Sequence, residues 1–227
     1  LQSFSLTGGS VLKNSILTIT PTAFATYLHL SRETFLRSQG LKVRGDRGLG
    51  DRLAVYAEGG WTREDYLEIV ENTAAPERTG DRVNVNLGGR YTLSPTMQLA
   101  LDGGYENKDI RKEFQFNAYQ GGSLTGSHTW VFGQGQFFLN SLAYTVNSYD
   151  EPDPAISERK RRETQLRIRV TYGAPVALLF GEWLPAGFLE NLTATFTVEQ
   201  LRSFANITNY TYSNTKFSTL LSKRFEF

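Results

Sequence analysis

Cysteine is absent from the 227 residues, which removes disulfides, thiolate metal sites and cysteine nucleophiles together. Methionine occurs once, as Met97, and the chain starts at Leu1 without an initiator, as a processed protein or part of a longer one does. Histidine occurs twice, as His29 and His128, so a site built on several imidazoles is excluded. Neither charge sign dominates: 24 basic residues face 23 acidic ones, and no basic surplus suits a nucleic acid. No apolar run approaches the ~18 residues of a membrane-crossing helix.

What is present favours strands. Phe, Tyr and Trp reach 13% of the chain, with 21 glycines among them. Apolar and polar residues alternate through most of the chain. In 81–106, Val83, Val85, Leu87, Gly89 and Tyr91 alternate with Asn84, Asn86, Gly88 and Arg90. After Pro95-Thr96, Met97, Leu99, Leu101, Gly103 and Tyr105 alternate with Gln98, Ala100, Asp102, Gly104 and Glu106. The pattern predicts strands within 12–30, 34–44, 52–61, 81–92, 97–106, 113–120, 129–146, 163–173, 189–199 and 216–227. Connections 63–80, 149–162 and 203–215 are long and hydrophilic; 45–51, 92–96 and 121–127 are short. Long and short connections fall on alternate ends, as in a membrane barrel with short periplasmic turns and longer outer loops. Segment 29–33 is too short and 174–188 too long and apolar for that scheme. The latter reads either as an interfacial stretch anchored by Trp183 or as two further short strands.

A soluble sandwich puts its apolar face inward and charges on its surface. Here the polar face carries Asn, Gln, Thr, Gly and single charges. The apolar face is continuous, with Trp61, Tyr91, Tyr105 and Tyr172 near strand ends, as in interfacial girdles. Strands of about ten residues suit a tilted span of the hydrocarbon layer, and in lipid they must close into a barrel. The expected fold is therefore all-β: a transmembrane antiparallel up-and-down β-barrel of about ten strands, with twelve as the alternative. It occupies 13–227, and 1–12 is an extra strand, a plug or a linker.

The last stretch, KFSTLLSKRFEF, sets Phe217, Leu221, Phe225 and Phe227 on one face and ends on Phe. It resembles the C-terminal strand of Gram-negative outer-membrane β-barrel proteins, with Lys223 departing from the usual apolar residue. The stretch from Asn206 onward is also loosely similar to the closing hairpin of larger barrels that follow helical repeats in export proteins. The resemblance implies an outer-membrane location, contact with lipid and lipopolysaccharide, and a C-terminal signal read by the barrel-assembly machinery. It also leaves room for a periplasmic or extracellular protein partner.

Catalytic signals are weak. Ser127 and His128 are adjacent, so on a strand they face opposite ways; His29 stands beside Ser31 with Arg32 and Glu33 following, and neither histidine shows a complete nucleophile–base–orienter set. A membrane-embedded hydrolase is the least favoured function; no cofactor and no metal is expected. Acids in Asp150-Glu151-Pro152-Asp153-Pro154 suit a solvated turn better than a cation site. The basic run within 158–163 either meets lipopolysaccharide phosphates or is simply solvated. Alternation places Lys42, Arg44, Arg52, Glu58, Arg90, Asp102, Glu106, Arg167, Arg169 and Glu199 toward a lumen. Two functions follow: a narrow pore for small hydrophilic solutes or ions, alone or within a larger export assembly, or a non-conducting structural barrel that anchors a partner.

Overall fold

A computed structural model of the chain describes residues 2–14, 16–30, 33–67, 76–110, 112–181 and 192–223. Its strands are β1 (Gln2–Gly9), β2 (Leu12–Lys13), β3 (Thr18–Leu30), β4 (Glu33–Leu49), β5 (Leu53–Tyr66) and β6 (Gly80–Ser94). They continue as β7 (Met97–Ile110), β8 (Tyr119–Phe132), β9 (Gln136–Tyr149), β10 (Arg162–Pro175), β11 (Leu192–Ala205) and β12 (Tyr212–Lys223). All belong to one 12-stranded sheet in which each strand from β3 onward pairs antiparallel with the next. Strand β1 pairs antiparallel with β3, so it and β12 form the two edges, and β2 adds a short second contact to β3. The fold is all-β, antiparallel and up-and-down.

Ten strands from β3 to β12 answer to the expected ten, and two more, β1 and β2, lie at the N-terminus. Of segment 174–188 the described residues are 174–181: Pro175 ends β10, and the helical turn α1 (Val176–Phe180) follows. Two boundaries are corrected. The predicted strand over 113–120 is mostly a 3-10 turn (Lys112–Asn117), and the predicted connection 121–127 lies inside β8. Glycines there are not turn formers but packing sites. A Cβ added to Gly121 would sit 2.2 Å from Asn147 Oδ1 on the neighbouring strand. The predicted strand 129–146 is broken by a turn at 133–135, where Gln134 and Gly135 take φ of 59° and 79°. Gly135 suits that left-handed backbone because it has no Cβ.

The ten-strand ladder alternates two rims. One carries the turns 50–52, 95–96 and 133–135 and the longer connection 176–191; the other carries 67–79, 111–118, 150–161 and 206–211 and the short connection 31–32. The second is called here the long-loop rim. Register fixes the faces, because each pair in the ladder points the same way. Lys42 opposes Gly60, Gly60 opposes Asn84, Asn84 opposes Glu106, and Glu106 opposes Gly121. On the other face, Leu41 opposes Trp61, Trp61 opposes Val83, and Val85 opposes Tyr105.

The two faces are unequally accessible, and in the sense opposite to a water-soluble sheet. On β6 the apolar Val83, Val85 and Leu87 are 50%, 49% and 58% exposed, while Asn84, Asn86 and Gly88 between them are half-buried. On a flat sheet the faces would be equally accessible, so the sheet curls with its polar face on the concave side. The buried apolar residues among those described are few: Ile110, Ala118, Ala174, Val176, Ala194 and Ile207. No sandwich-type core exists between two packed layers; the stability of the sheet lies in its ladder and its concave face.

Candidate functional site: the concave polar face

Register brings Lys42, Arg44, Glu58, Arg90, Asp102, Glu106, Arg167, Arg169 and Glu199 onto the concave face. Arg52 is the exception. Strand β4 runs on to Leu49, beyond the predicted 44, so Arg52 falls in the turn before β5 and is exposed.

A first cluster spans β4 to β7. The Arg44 guanidinium binds Asp46 through Nε and Nη2 at 2.9–3.0 Å and stacks 3.8 Å above the Tyr56 ring. Tyr56 donates its hydroxyl to Asp102 at 2.6 Å, and Asn86 donates to Glu58 at 3.3 Å. Lys42 stands 3.9 Å from Glu58. Gly88 lets this happen: a Cβ there would lie 2.2 Å from Asp102 Oδ1 and 2.3 Å from the Tyr56 ring. The glycine is the gap through which the tyrosine crosses β6 to reach its carboxylate.

The second cluster lies nearer the long-loop rim and is the most enclosed. Glu64 accepts from Lys108 at 2.9 Å and pairs with Arg82 at 2.9 Å, with Glu64 and Lys108 side chains only 9% and 10% exposed. Arg82 also reaches Glu106 at 3.6 Å, and Glu106 accepts the Tyr119 hydroxyl. Lys108 Nζ lies 5.2 Å from the Tyr66 ring centroid. Sequence reasoning missed Glu64 and Lys108 because it ended both strands early, at 61 and 106. Even-numbered polar positions continue through Thr62, Glu64, Glu106 and Lys108, and that was the available signal.

On the opposite wing, Arg169 pairs with Glu199, and Arg167 stands 3.9 Å from the same carboxylate. Around them the face is small and hydroxylic: Ser123, Thr125 and Ser127 on β8, Ser141 and Thr145 on β9, Thr195 and Thr197 on β11. On the concave face the ion pairs Lys42–Glu58, Arg44–Asp46, Arg82–Glu64, Arg82–Glu106, Lys108–Glu64 and Arg169–Glu199 each join a strand to itself or to one no more than two strands away along the wall.

The loops of the long-loop rim are fastened to one another. Arg161 is sandwiched between the rings of Tyr149 at 3.4 Å and Tyr210 at 4.1 Å. Asn206 accepts from the Arg162 amide at 2.8 Å and donates to the Lys160 carbonyl at 2.9 Å. Tyr210 donates to Asp153 at 3.1 Å, and burial holds its phenol above the ordinary value, with Arg161 opposing and the Asp153 bond adding. Asp153 also caps its own turn through the Ala155 amide at 3.0 Å, so this acid is engaged rather than open to a cation. Among the described residues no group of three acids or histidines has metal-holding geometry. Arg159 and Lys160 remain exposed.

Ser127 and His128 fall on opposite faces, the serine opposing Ser141 and the histidine opposing Asn140. His29 stands 3.3 Å from the Thr34 hydroxyl and edge-on to Phe4. Of the aromatic residues predicted near strand ends, Trp61 and Tyr105 lie on the convex face toward the long-loop rim, and Tyr91 and Tyr172 toward the short-turn rim. Trp183 lies outside the described residues, as do Phe225 and Phe227. Phe217 and Leu221 are on the convex face of β12, 74% and 62% exposed. Comparison with models of known protein families and with curated protein sequences gives no match. What the fold and face define is a class: a curled, up-and-down antiparallel sheet with an apolar exterior and a charged, hydrogen-bonded interior face.

Proposed function

We propose that the chain is a transmembrane β-barrel, or the described part of one, in the outer membrane of a Gram-negative bacterium. Its concave face lines a water-filled passage for small hydrophilic solutes or ions. The observation that carries the reading is the inverted accessibility, with large apolar residues outward and polar ones enclosed. Water penalises that arrangement and hydrocarbon favours it. The convex face of β5 stays apolar from Leu53 to Trp61, then turns to Arg63 and Asp65, both engaged in ion pairs. Eight residue steps at ~3.3 Å, tilted by ~40°, span about 20 Å, close to the apolar band of outer-membrane barrels.

The passage reading is favoured over a filled interior by how the charges pair. Ion pairs run along the wall, and much of the wing from β8 to β11 carries serine and threonine, beside Leu139, Ala143 and Leu201. A sheet of this many strands also encloses more space than the eight whose side chains just fill a barrel. Outward-facing lipid, lipopolysaccharide phosphates at Arg159 and Lys160, and the assembly machinery at the C-terminal strand are the partners this reading implies.

The test is conductance of the purified, detergent-folded protein in planar bilayers. Stepwise currents are expected, and Arg167→Ser with Arg169→Ser lowers anion preference by removing two concave-face cations. A protein that inserts, runs as a heat-modifiable band and carries no current would sink the passage and leave a structural barrel.

A further inference from the structure

On the convex face a trough of about 810 Å³ crosses β5 to β10. That volume is in the range of small-molecule pockets generally. Gly89 and Gly126 form its floor on either side of Leu101, and Leu142 and Ile168 continue the same row. A Cβ added to Gly126 would meet nothing within 4 Å, so the glycine leaves open space that a larger side chain would fill. Two residues along, toward the short-turn rim, the apolar pattern is broken once. His128 and Asn140 face each other directly in the ladder, both half-buried and both lining the trough. Neither side chain makes a hydrogen bond among the described residues.

The next positions toward that rim are aromatic. Trp130 opposes Phe138 in the ladder, Phe132 stacks on Phe138 at 5.6 Å, and Tyr172 joins them at 5.2 Å from Phe138. Aromatic belts sit at the headgroup level of a bilayer. The histidine–asparagine pair is therefore one step inside it, at the depth of the ester carbonyls, where unpaired donors facing hydrocarbon are costly.

We propose that the trough is a binding site for one glycerophospholipid. Its acyl chain lies on the Gly89 and Gly126 floor, and an ester carbonyl accepts a hydrogen bond from the His128 ring N–H or the Asn140 amide. The site rests on the membrane reading above. It also uses the loop asymmetry: three of the four connections on that rim are tight turns, 176–191 being the exception, as on the periplasmic side, whose leaflet holds glycerophospholipid rather than lipopolysaccharide.

Native mass spectrometry of the full chain, delipidated in mild detergent and titrated with phosphatidylethanolamine, tests it. The unchanged protein is expected to retain one lipid. His128→Leu with Asn140→Leu removes the donors, and Gly126→Phe fills the floor. Each is expected to cut retention at least about fivefold, the loss of roughly one hydrogen bond's worth of binding or more. Heat-modifiable mobility checks that every variant is folded. No adduct on the folded unchanged protein, equal retention by the variants, or preference for lipid A over phosphatidylethanolamine would each overturn the site while leaving the barrel intact. A chain that stays dissolved without detergent would instead overturn the membrane reading itself.

Discussion

Glu64 and Lys108 show how far a single residue's role depends on what encloses it. They sit on strands separated by β6, whose Arg82 forms the third corner of the group. Removing one member of an enclosed pair strands the other, whereas removing both is far milder. Lys108→Met is expected to destabilise the folded state by about 1–3 kcal/mol, below the ~3–5 of a fully buried pair because Arg82 remains with Glu64. Glu64→Met with Lys108→Met is expected to cost less than the single change. Urea unfolding in lipid vesicles measures both; a double variant no more stable than the single one would show that the pair is only decorative. Asp102 and Tyr56 follow the same logic at 2.6 Å, with Gly88 as the space that lets them meet.

At the scale of the element, glycines divide by face. Gly121→Val must displace the Asn147 side chain and crowd the Val146 carbonyl at 3.0 Å, whereas Gly59, on the convex face, has open space around it. Gly121→Val is expected to cost about 1–3 kcal/mol by overpacking, and Gly59→Ala less than about 0.5. Equal losses on thermal unfolding would mean that close packing is not why Gly121 lacks a side chain. The long-loop rim makes a second prediction. Asn206→Ala removes both bonds that tie 206 to Lys160 and Arg162. Trypsin is then expected to cleave near Arg159 to Arg162 several times faster, because local opening sets the rate of such cleavage. An unchanged digestion pattern would show that the ring sandwich around Arg161 holds the loops unaided.

For the whole molecule, the proposed membrane setting puts the balance between water and lipid. Apolar side chains such as Leu41, Leu87 and Leu101 are each about 58–59% exposed on the convex face. At ~25 cal/mol per Å², that face would make the isolated chain aggregate in water. The expected outcome is a monodisperse, strand-rich protein only in detergent or lipid, with precipitation on its removal. Sedimentation with and without detergent measures this, and a soluble monomer in plain buffer would be incompatible with it. The two sheet edges, β1 and β12, belong to this scale as well, since backbone groups in hydrocarbon have to be paired.

Much of this was legible in the residues themselves. Alternation over Val83–Tyr91 and Met97–Tyr105 fixed a period of two, and that period fixed which side chains share a face, whatever the sheet did next. It therefore placed Arg90, Asp102, Arg167 and Glu199 together before any contact was known. Strand ends were less legible, because Glu64 and Lys108 look like loop charges until a partner across the sheet is in reach. The Gly121-Gly122 pair reads as a turn for the same reason: a glycine that makes room for a neighbour and a glycine that bends the chain have one composition. The make-up of the two faces already pointed the polar one inward; only the tertiary structure decided that Tyr56 crosses beneath Gly88 to Asp102, and that His128 meets Asn140. Those outcomes depend on twist, stagger and residues far apart in the chain, none of which a period of two contains.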